Sequence, residues 1–139
     1  MPKIGVRLPG SFETAGEFLA DVQALESAGA DLLLLEDGDL DREQLLAAMA
    51  AVTGRVQLHS PTAGETLQRL ARGRLVRDLA GWSEVEFPED RTAWRATLTE
   101  HEEAGTSGLI MAMDARLLDL LRNPDIEDDR ATDLQLAQG

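Results

Sequence analysis

The sequence predicts an α/β fold built on a parallel sheet, and three observations support this. Segments with helical periodicity alternate with short apolar segments along the 139 residues. The segment "DLLLLED" is continuously apolar, which is typical of a parallel strand covered on both faces. One pattern also occurs twice: "ESAGADLLLLED" (26–37) and "EEAGTSGLIMAM" (102–113) each join a helix end, a glycine and a buried strand. Two copies of one helix-to-strand unit indicate βαβ architecture.

The first half of the chain contains three predicted strands and two predicted helices. The first strand is "KIGVRL", and a capping box of Thr14 and Glu17 begins the first helix, which ends at Gly29. After the strand "DLLLLED", Asp41 and Gln44 can begin a second helix. The segment "RVQLHS" is the third predicted strand.

The second half continues the alternation. Thr62 and Glu65 predict a capping box for a short helix that precedes "RLVRDL", the fourth strand. The segment "WSEVEF" alternates as a fifth strand exposed on one face. Asp90 or Thr92 begins a helix that leads to the last strand, "GLIMAMD". Asp114 is the predicted cap of a final helix, "ARLLDLLR".

Composition limits the classes of function. A hydrophobic content of 43% suits one folded domain, which we place at 1–124, followed by an acidic tail at 125–139. Without cysteine the chain has no disulfides or thiolate metal sites, and a formal charge of −13 disfavours nucleic acid as a partner. No signal-peptide pattern begins the sequence, and the wholly apolar run "LLLL" is too short to span a bilayer. We therefore expect a cytoplasmic protein without a membrane partner.

Five segments carry a resemblance to a known family. They are "KIGVRLPG", "ALESAGADLLLLED", "LLAAMAAVTGRVQL", "TLQRLARGRLV" and "WRATLTEHEEAGTSGLIM". Together they resemble the luciferase-like family of flavin- or deazaflavin-dependent monooxygenases and reductases, which are TIM barrels. The resemblance implies an oxidoreductase that acts on a small organic substrate with FMN or the deazaflavin F420 as cofactor.

The chain is too short for the whole barrel of that family. A complete (β/α)₈ barrel has about 250 residues, whereas about six strands fit here, because "RLVRDLAGW" continues almost directly into "SEVEFPEDRTAW". We therefore predict a partial TIM-like barrel of about six parallel strands that lacks the fifth and sixth units. Its uncovered strand edges favour a homodimer, with tight closure or a heteromeric complex as alternatives. Periodicity alone also permits a sheet of flavodoxin type.

The functional face of such a barrel lies at the C-terminal ends of the strands. The candidates there are His59 as the catalytic residue, Arg7, Arg77 and Trp82 for cofactor binding, and Glu36 and Asp114 for substrate binding. The histidine can act as a general acid or base near neutral pH, and the arginines suit phosphate. No histidine–carboxylate pattern indicates a metal site.

Each candidate also has a structural interpretation. His59 can bond to a neighbouring loop, Glu36 can belong to a turn, Asp114 can cap a helix and Trp82 can anchor the core. Arg7 needs an anionic partner, for which Glu36, Asp114 or a ligand phosphate are candidates. A second functional hypothesis follows from these interpretations: a non-catalytic barrel remnant without cofactor that serves as a ligand-binding, scaffold or partner subunit.

Overall fold

The computed structural model describes residues 2–123, and within this range six strands alternate with five helices, except between the fourth and fifth strands. The strands are β1 (Lys3–Leu8), β2 (Leu32–Leu35), β3 (Gln57–His59), β4 (Leu75–Val76), β5 (Trp82–Glu84) and β6 (Gly108–Ala112). The helices are α1 (Ala15–Ala28), α2 (Arg42–Val52), α3 (Glu65–Ala71), α4 (Arg91–Glu103) and α5 (Leu117–Arg122). The acidic tail predicted at 125–139 lies outside the described residues.

All pairs of adjacent strands are parallel, and the strand order is β4-β3-β2-β1-β6-β5. Strands that follow each other along the chain are neighbours in the sheet, except at the step from β4 to β5. These two strands form the edges, so the sheet is interrupted at the point where the sequence predicts that barrel units are missing. The prediction of a partial TIM-like barrel is confirmed as a curled half-barrel. The flavodoxin alternative is wrong, because it requires the order 2-1-3-4-5.

The five helices of residues 2–123 pack on one face of the sheet. Their buried residues join the outward-facing residues of the strands in one large core. From the helices this core includes Phe18, Val22, Leu25, Leu46, Met49, Ala50, Leu67, Ala71, Trp94, Leu98, Leu117 and Leu120. In a doubly wound fold helices would cover both faces. The other face of the sheet is therefore the inner, concave face of the half-barrel.

The inner face is covered by the chain itself, through the connection from β4 to β5. In a flat sheet the two edge strands would lie about 24 Å apart, at about 4.8 Å per strand. Residues 77–81 extend at most about 20 Å between the two strands. The sheet therefore has to curl, and the connection has to cross the concave side. Accordingly, Val76, Leu79 and Trp82 pack against the inner-face residues Leu32, Leu34 and Ile110 in a second, smaller cluster.

Most of the predicted helix signals are confirmed. The Thr14 hydroxyl accepts a hydrogen bond from the Glu17 N–H (3.4 Å), Asp90 caps α4 through the Ala93 N–H (2.7 Å), and Gly29 ends α1 with a φ of 106°. That conformation is accessible to glycine at little cost.

The capping box predicted at Thr62 and Glu65 is wrong. The N-cap of α3 is Gly64, without a side-chain hydrogen bond, and its N–H donates to the Glu43 carboxylate of α2. This contact joins the N-terminal ends of two helices through residues that are 21 positions apart in sequence, and a local sequence pattern does not contain it.

Candidate functional site

Arg7 points to the inner face of the half-barrel. The other side chains of β1 alternate with it: Ile4, Val6 and Leu8 belong to the core under the helices. Side chains of a strand alternate between the two faces. Residues 5 and 7 therefore face the concave side, near the C-terminal end of the strand.

A row of side chains crosses the inner face at the level of Arg7. The strand register places Arg7 beside Leu34 of β2 on one side and Ala112 of β6 on the other. Extending the β2–β3 register by one residue places Leu34 beside His59, which is paired with Val76 of β4. We call Ala112, Arg7, Leu34, His59 and Val76 the inner row. Arg7 and His59 are two strand spacings apart in it, about 10 Å.

The Arg7 guanidinium forms an ion pair with Glu84, the last residue of β5. The Arg7 side chain is 29% exposed and that of Glu84 is 62% exposed. The partners predicted within the chain, Glu36 and Asp114, are wrong. Glu36 lies beyond the end of β2 and is exposed, and the carboxylate of Asp114 is engaged elsewhere.

Asp114 is held by its own loop. Both of its carboxylate oxygens accept hydrogen bonds from the Arg116 guanidinium, each at 3.0 Å, and Oδ1 also accepts from the Arg116 N–H at 2.9 Å. These hydrogen bonds from Arg116 lower the pKa of Asp114 to about 2. The guanidinium also lies 4.5 Å from the centre of the Phe87 ring. Since α5 begins at Leu117 with Arg116 as its N-cap, Asp114 orders the preceding turn and is not the helix cap that the sequence predicts.

His59 lies half-buried at the end of β3. Desolvation lowers the pKa of its imidazole, the positive charge of Arg42 lowers it further, and a hydrogen bond to the Arg77 backbone opposes the change. The ring is therefore neutral at neutral pH and can accept a proton or a hydrogen bond. The Arg77 contribution agrees with the structural interpretation of a strand-end histidine close to a neighbouring loop. A catalytic role stays a prediction.

Trp82 packs on the floor of the half-barrel. A Cβ added to Gly108 would lie 2.3 Å from Cζ3 of the indole, and one added to Gly5 would lie 3.1 Å from the same atom. The two glycines thus provide the surface on which the ring rests, and Leu79 belongs to the same cluster. This arrangement confirms the interpretation of Trp82 as a core anchor.

The residues of the inner face do not fit a flavin ring placed inside the half-barrel. Leu79 and Trp82 pack against the inner-face residues of the sheet, and Glu84 is already paired with Arg7. The N–H of Ala80, in the loop after β4, donates to Asp78 Oδ1 at 2.9 Å and is not free for a phosphate. The exposed side chain of Arg77 forms no ion pair within residues 2–123 and remains available at the rim.

Of the predicted site residues, the structure brings Arg7, His59 and Trp82 onto one face. Glu36 and the Arg77 side chain lie at the exposed rim, and Asp114 is engaged by Arg116. Sequence reasoning missed Glu84. The signal was present in the alternation of "WSEVEF", because the residue two positions after an inward-facing Trp82 faces the same side of its strand.

Two loops contact each other closely above the strand ends. A Cβ on Gly10 would lie 2.2 Å from the Glu36 carbonyl oxygen, and a Cβ on Gly38 would lie 2.3 Å from the Gly10 carbonyl oxygen. The loop after β1 and the loop after β2 therefore meet backbone to backbone. This contact makes one side of the rim a fixed surface.

Comparisons with known proteins leave the family open: no protein-family model matches the chain, and no curated protein matches it. In the described part of the chain, no three or more acidic or histidine side chains are grouped so that they could hold a metal ion. Among residues 2–123, no helix has the length and apolar character needed to cross a membrane.

Proposed function

We propose that the chain is a shortened relative of luciferase-like barrel proteins and that it binds a small organic ligand at the C-terminal rim, as a ligand-binding or partner subunit without flavin chemistry. The observation that carries the proposal is the filled inner face. Leu79 and Trp82 occupy the concave side, while Arg7 and His59 stay accessible in the inner row. Ligands of barrel proteins bind at this end of the strands.

The polar groups of the rim suit the two ends of one small molecule. Arg7 offers a planar fork for an anionic group, and His59, about 10 Å away across two strand spacings, offers a neutral imidazole. Leu34 lies between them and is buried. Because Leu34 is covered by Val76, Leu79 and Trp82, a ligand that spans the row contacts the cation and the hydrogen-bonding ring at the rim.

A flavin- or F420-dependent oxidoreductase is the second candidate, and the state of His59 favours it. A half-buried, neutral imidazole at a barrel rim is suited to accept a proton from a substrate. In this candidate the cofactor lies outside the filled interior, supplies the redox chemistry, and meets Arg77 with its phosphate. The protein would act in the cytoplasm on a small organic molecule.

The two edge strands raise the question of a partner chain. β4 and β5 each pair with one neighbouring strand, so one side of each is uncovered by strand pairing. They are only two and three residues long, and short edges limit pairing between chains. A homodimer, or a place in a larger complex, stays a proposal that solution measurements decide.

Titration of the purified protein with FMN and with F420, followed by fluorescence and by size-exclusion chromatography on the same samples, tests both candidates. We expect no saturable binding of either cofactor at micromolar concentration. A panel of small carboxylates and phosphate esters is expected to raise the melting temperature and to shift NMR signals of the inner row. Saturable FMN or F420 binding would replace the first candidate by the second, and the chromatogram reports the oligomeric state.

A further inference from the structure

We infer that Glu84 occupies the position of the ligand's anionic group on Arg7, so that the ligand of the rim is a small organic anion that binds by displacing Glu84. The inference rests on the proposed function, because it assigns the chemistry of the same site. The shared chemistry is an oxyanion, either a carboxylate or a phosphate, that the guanidinium holds in bidentate fashion.

The position of Arg7 in the sheet suits ligand binding. Its side chain projects from the middle of the sheet, because β1 lies between β2 and β6. The cation is only 29% exposed, and a half-buried charge without a counter-ion is costly. An anion is therefore favoured at this position, and the chain provides Glu84 in the absence of a ligand.

Glu84 is placed so that it can leave. It ends the three-residue strand β5, at the edge of the sheet, and its side chain is 62% exposed. Exposed ion pairs are weak, because water solvates both partners well. The carboxylate of Glu84 can therefore exchange Arg7 for water without loss of a buried contact.

Arg7 has a small and exposed neighbour on one side. Ala112, its neighbour on β6, is exposed and carries only a methyl group. On the other side, Leu34 and then His59 continue the inner row. A ligand with its anionic end on Arg7 would therefore bind at the exposed rim, because Leu34 is buried against Leu79 and Trp82.

Four variants test the exchange. Arg7→Gln removes the cation, Arg7→Lys keeps the charge without the fork, and Glu84→Gln removes the internal competitor. Glu100→Gln is the matched control, because Glu100 is exposed on α4, on the outer side of the half-barrel, and its substitution changes the net charge equally. Circular dichroism and melting temperature establish that each variant is folded.

The probes are glutarate, glycerol phosphate and the uncharged glutaramide, titrated by calorimetry and by ¹H–¹⁵N NMR. We expect an anion to shift the signals of the inner row and glutaramide to leave them unchanged. Glu84→Gln should bind the anion about two- to fivefold more tightly than the wild type, the factor that corresponds to release of one exposed ion pair. Arg7→Lys should weaken binding, Arg7→Gln should abolish it, and Glu100→Gln should match the wild type.

The outcomes separate the inference from the proposed function. Ligand-induced shifts in the inner row that persist in Arg7→Gln, or equal affinities in Glu84→Gln and Glu100→Gln, would overturn the inference and leave a rim ligand of another chemistry. An inner row that responds to none of the anions, to glutaramide or to the flavins would overturn both. A preference between glutarate and glycerol phosphate identifies the source of the oxyanion.

Discussion

The substitution Gly108→Ala tests whether the concave side of the half-barrel is filled. Gly108 begins β6, and a Cβ at this position would lie 2.3, 2.4 and 2.7 Å from three carbon atoms of the Trp82 ring. Ordinary contacts between carbon atoms begin near 3.5 Å, so the ring has to move by about 1 Å or more. Behind it, the inner cluster of Leu32, Leu34 and Ile110 resists the movement.

The expected cost follows from overpacking. Inserting a methyl group into a packed site destabilises a protein by about 1–3 kcal/mol, and the three short distances place Gly108→Ala in the upper half of this range. Gly16→Ala is the matched control. A Cβ at Gly16, in α1, meets nothing within 4 Å, so the better helix propensity of alanine should stabilise the protein by about 0.5–1 kcal/mol.

A double-mutant cycle with Trp82→Leu identifies the contact. The smaller side chain leaves room for the added methyl group, so Gly108→Ala should cost at least about 1 kcal/mol less in the Trp82→Leu background. Denaturation by urea, followed by circular dichroism, gives the free energies of unfolding for the four proteins. A Gly108→Ala protein as stable as the wild type, or a cycle without coupling, would refute the packing of Trp82 on the floor of the half-barrel.

Three further predictions concern the loops and the titrating groups. The Glu26 carboxylate accepts hydrogen bonds from the backbone N–H groups of Gly54, Arg55 and Val56 at 2.7–2.9 Å. Desolvation raises the pKa of Glu26, but these hydrogen bonds outweigh it and lower the pKa. Glu26→Gln should therefore reduce the free energy of unfolding by about 1–2 kcal/mol at pH 7 for this partly exposed site. Its stabilisation is present above the unfolded-state pKa of 4.5 and is lost as the pH falls through the folded value, so the difference in urea denaturation between Glu26→Gln and wild type should shrink progressively as the pH is lowered below 4.5. Desolvation lowers the pKa of His59 in the folded protein. The contribution of the neutral imidazole to stability is therefore present above about pH 6.5 and is lost as the pH falls through the pKa of the folded state. A His59 NMR titration midpoint at or above 6.5 would contradict the half-buried position of the imidazole. Gly10→Ala would place Cβ 2.2 Å from the Glu36 carbonyl oxygen and should destabilise the protein by about 1–3 kcal/mol, whereas a melting temperature equal to that of the wild type would show that the two loops are not in contact.

Much of the fold was predictable because its signals are local. The caps at Thr14, Asp41 and Asp90 and the glycine after α1 each depend on a few consecutive residues, and the structure confirms them. The missing barrel sector was predictable from the short distance along the chain between the fourth and fifth strands. In both cases the information lies within one element or one connection.

The site was less predictable because its contacts join distant elements. The Arg7–Glu84 ion pair depends on the register of β1, β6 and β5 together. The assignment of Trp82 to the core depends on the curl of the sheet and on the absence of side chains at Gly5 and Gly108. Neither feature follows from a pattern within one strand.

The short connection between β4 and β5 determines how the inner face is covered. Residues 77–81 join opposite edges of the sheet, and a segment of this length reaches only across the concave side. The residues that cross, above all Leu79, then bury the apolar inner residues of β2 and β6 that a complete barrel would bury by closure. Among the inner-face residues of the described chain, the charged and titratable side chains Arg7, Glu84 and His59 therefore lie at the C-terminal rim.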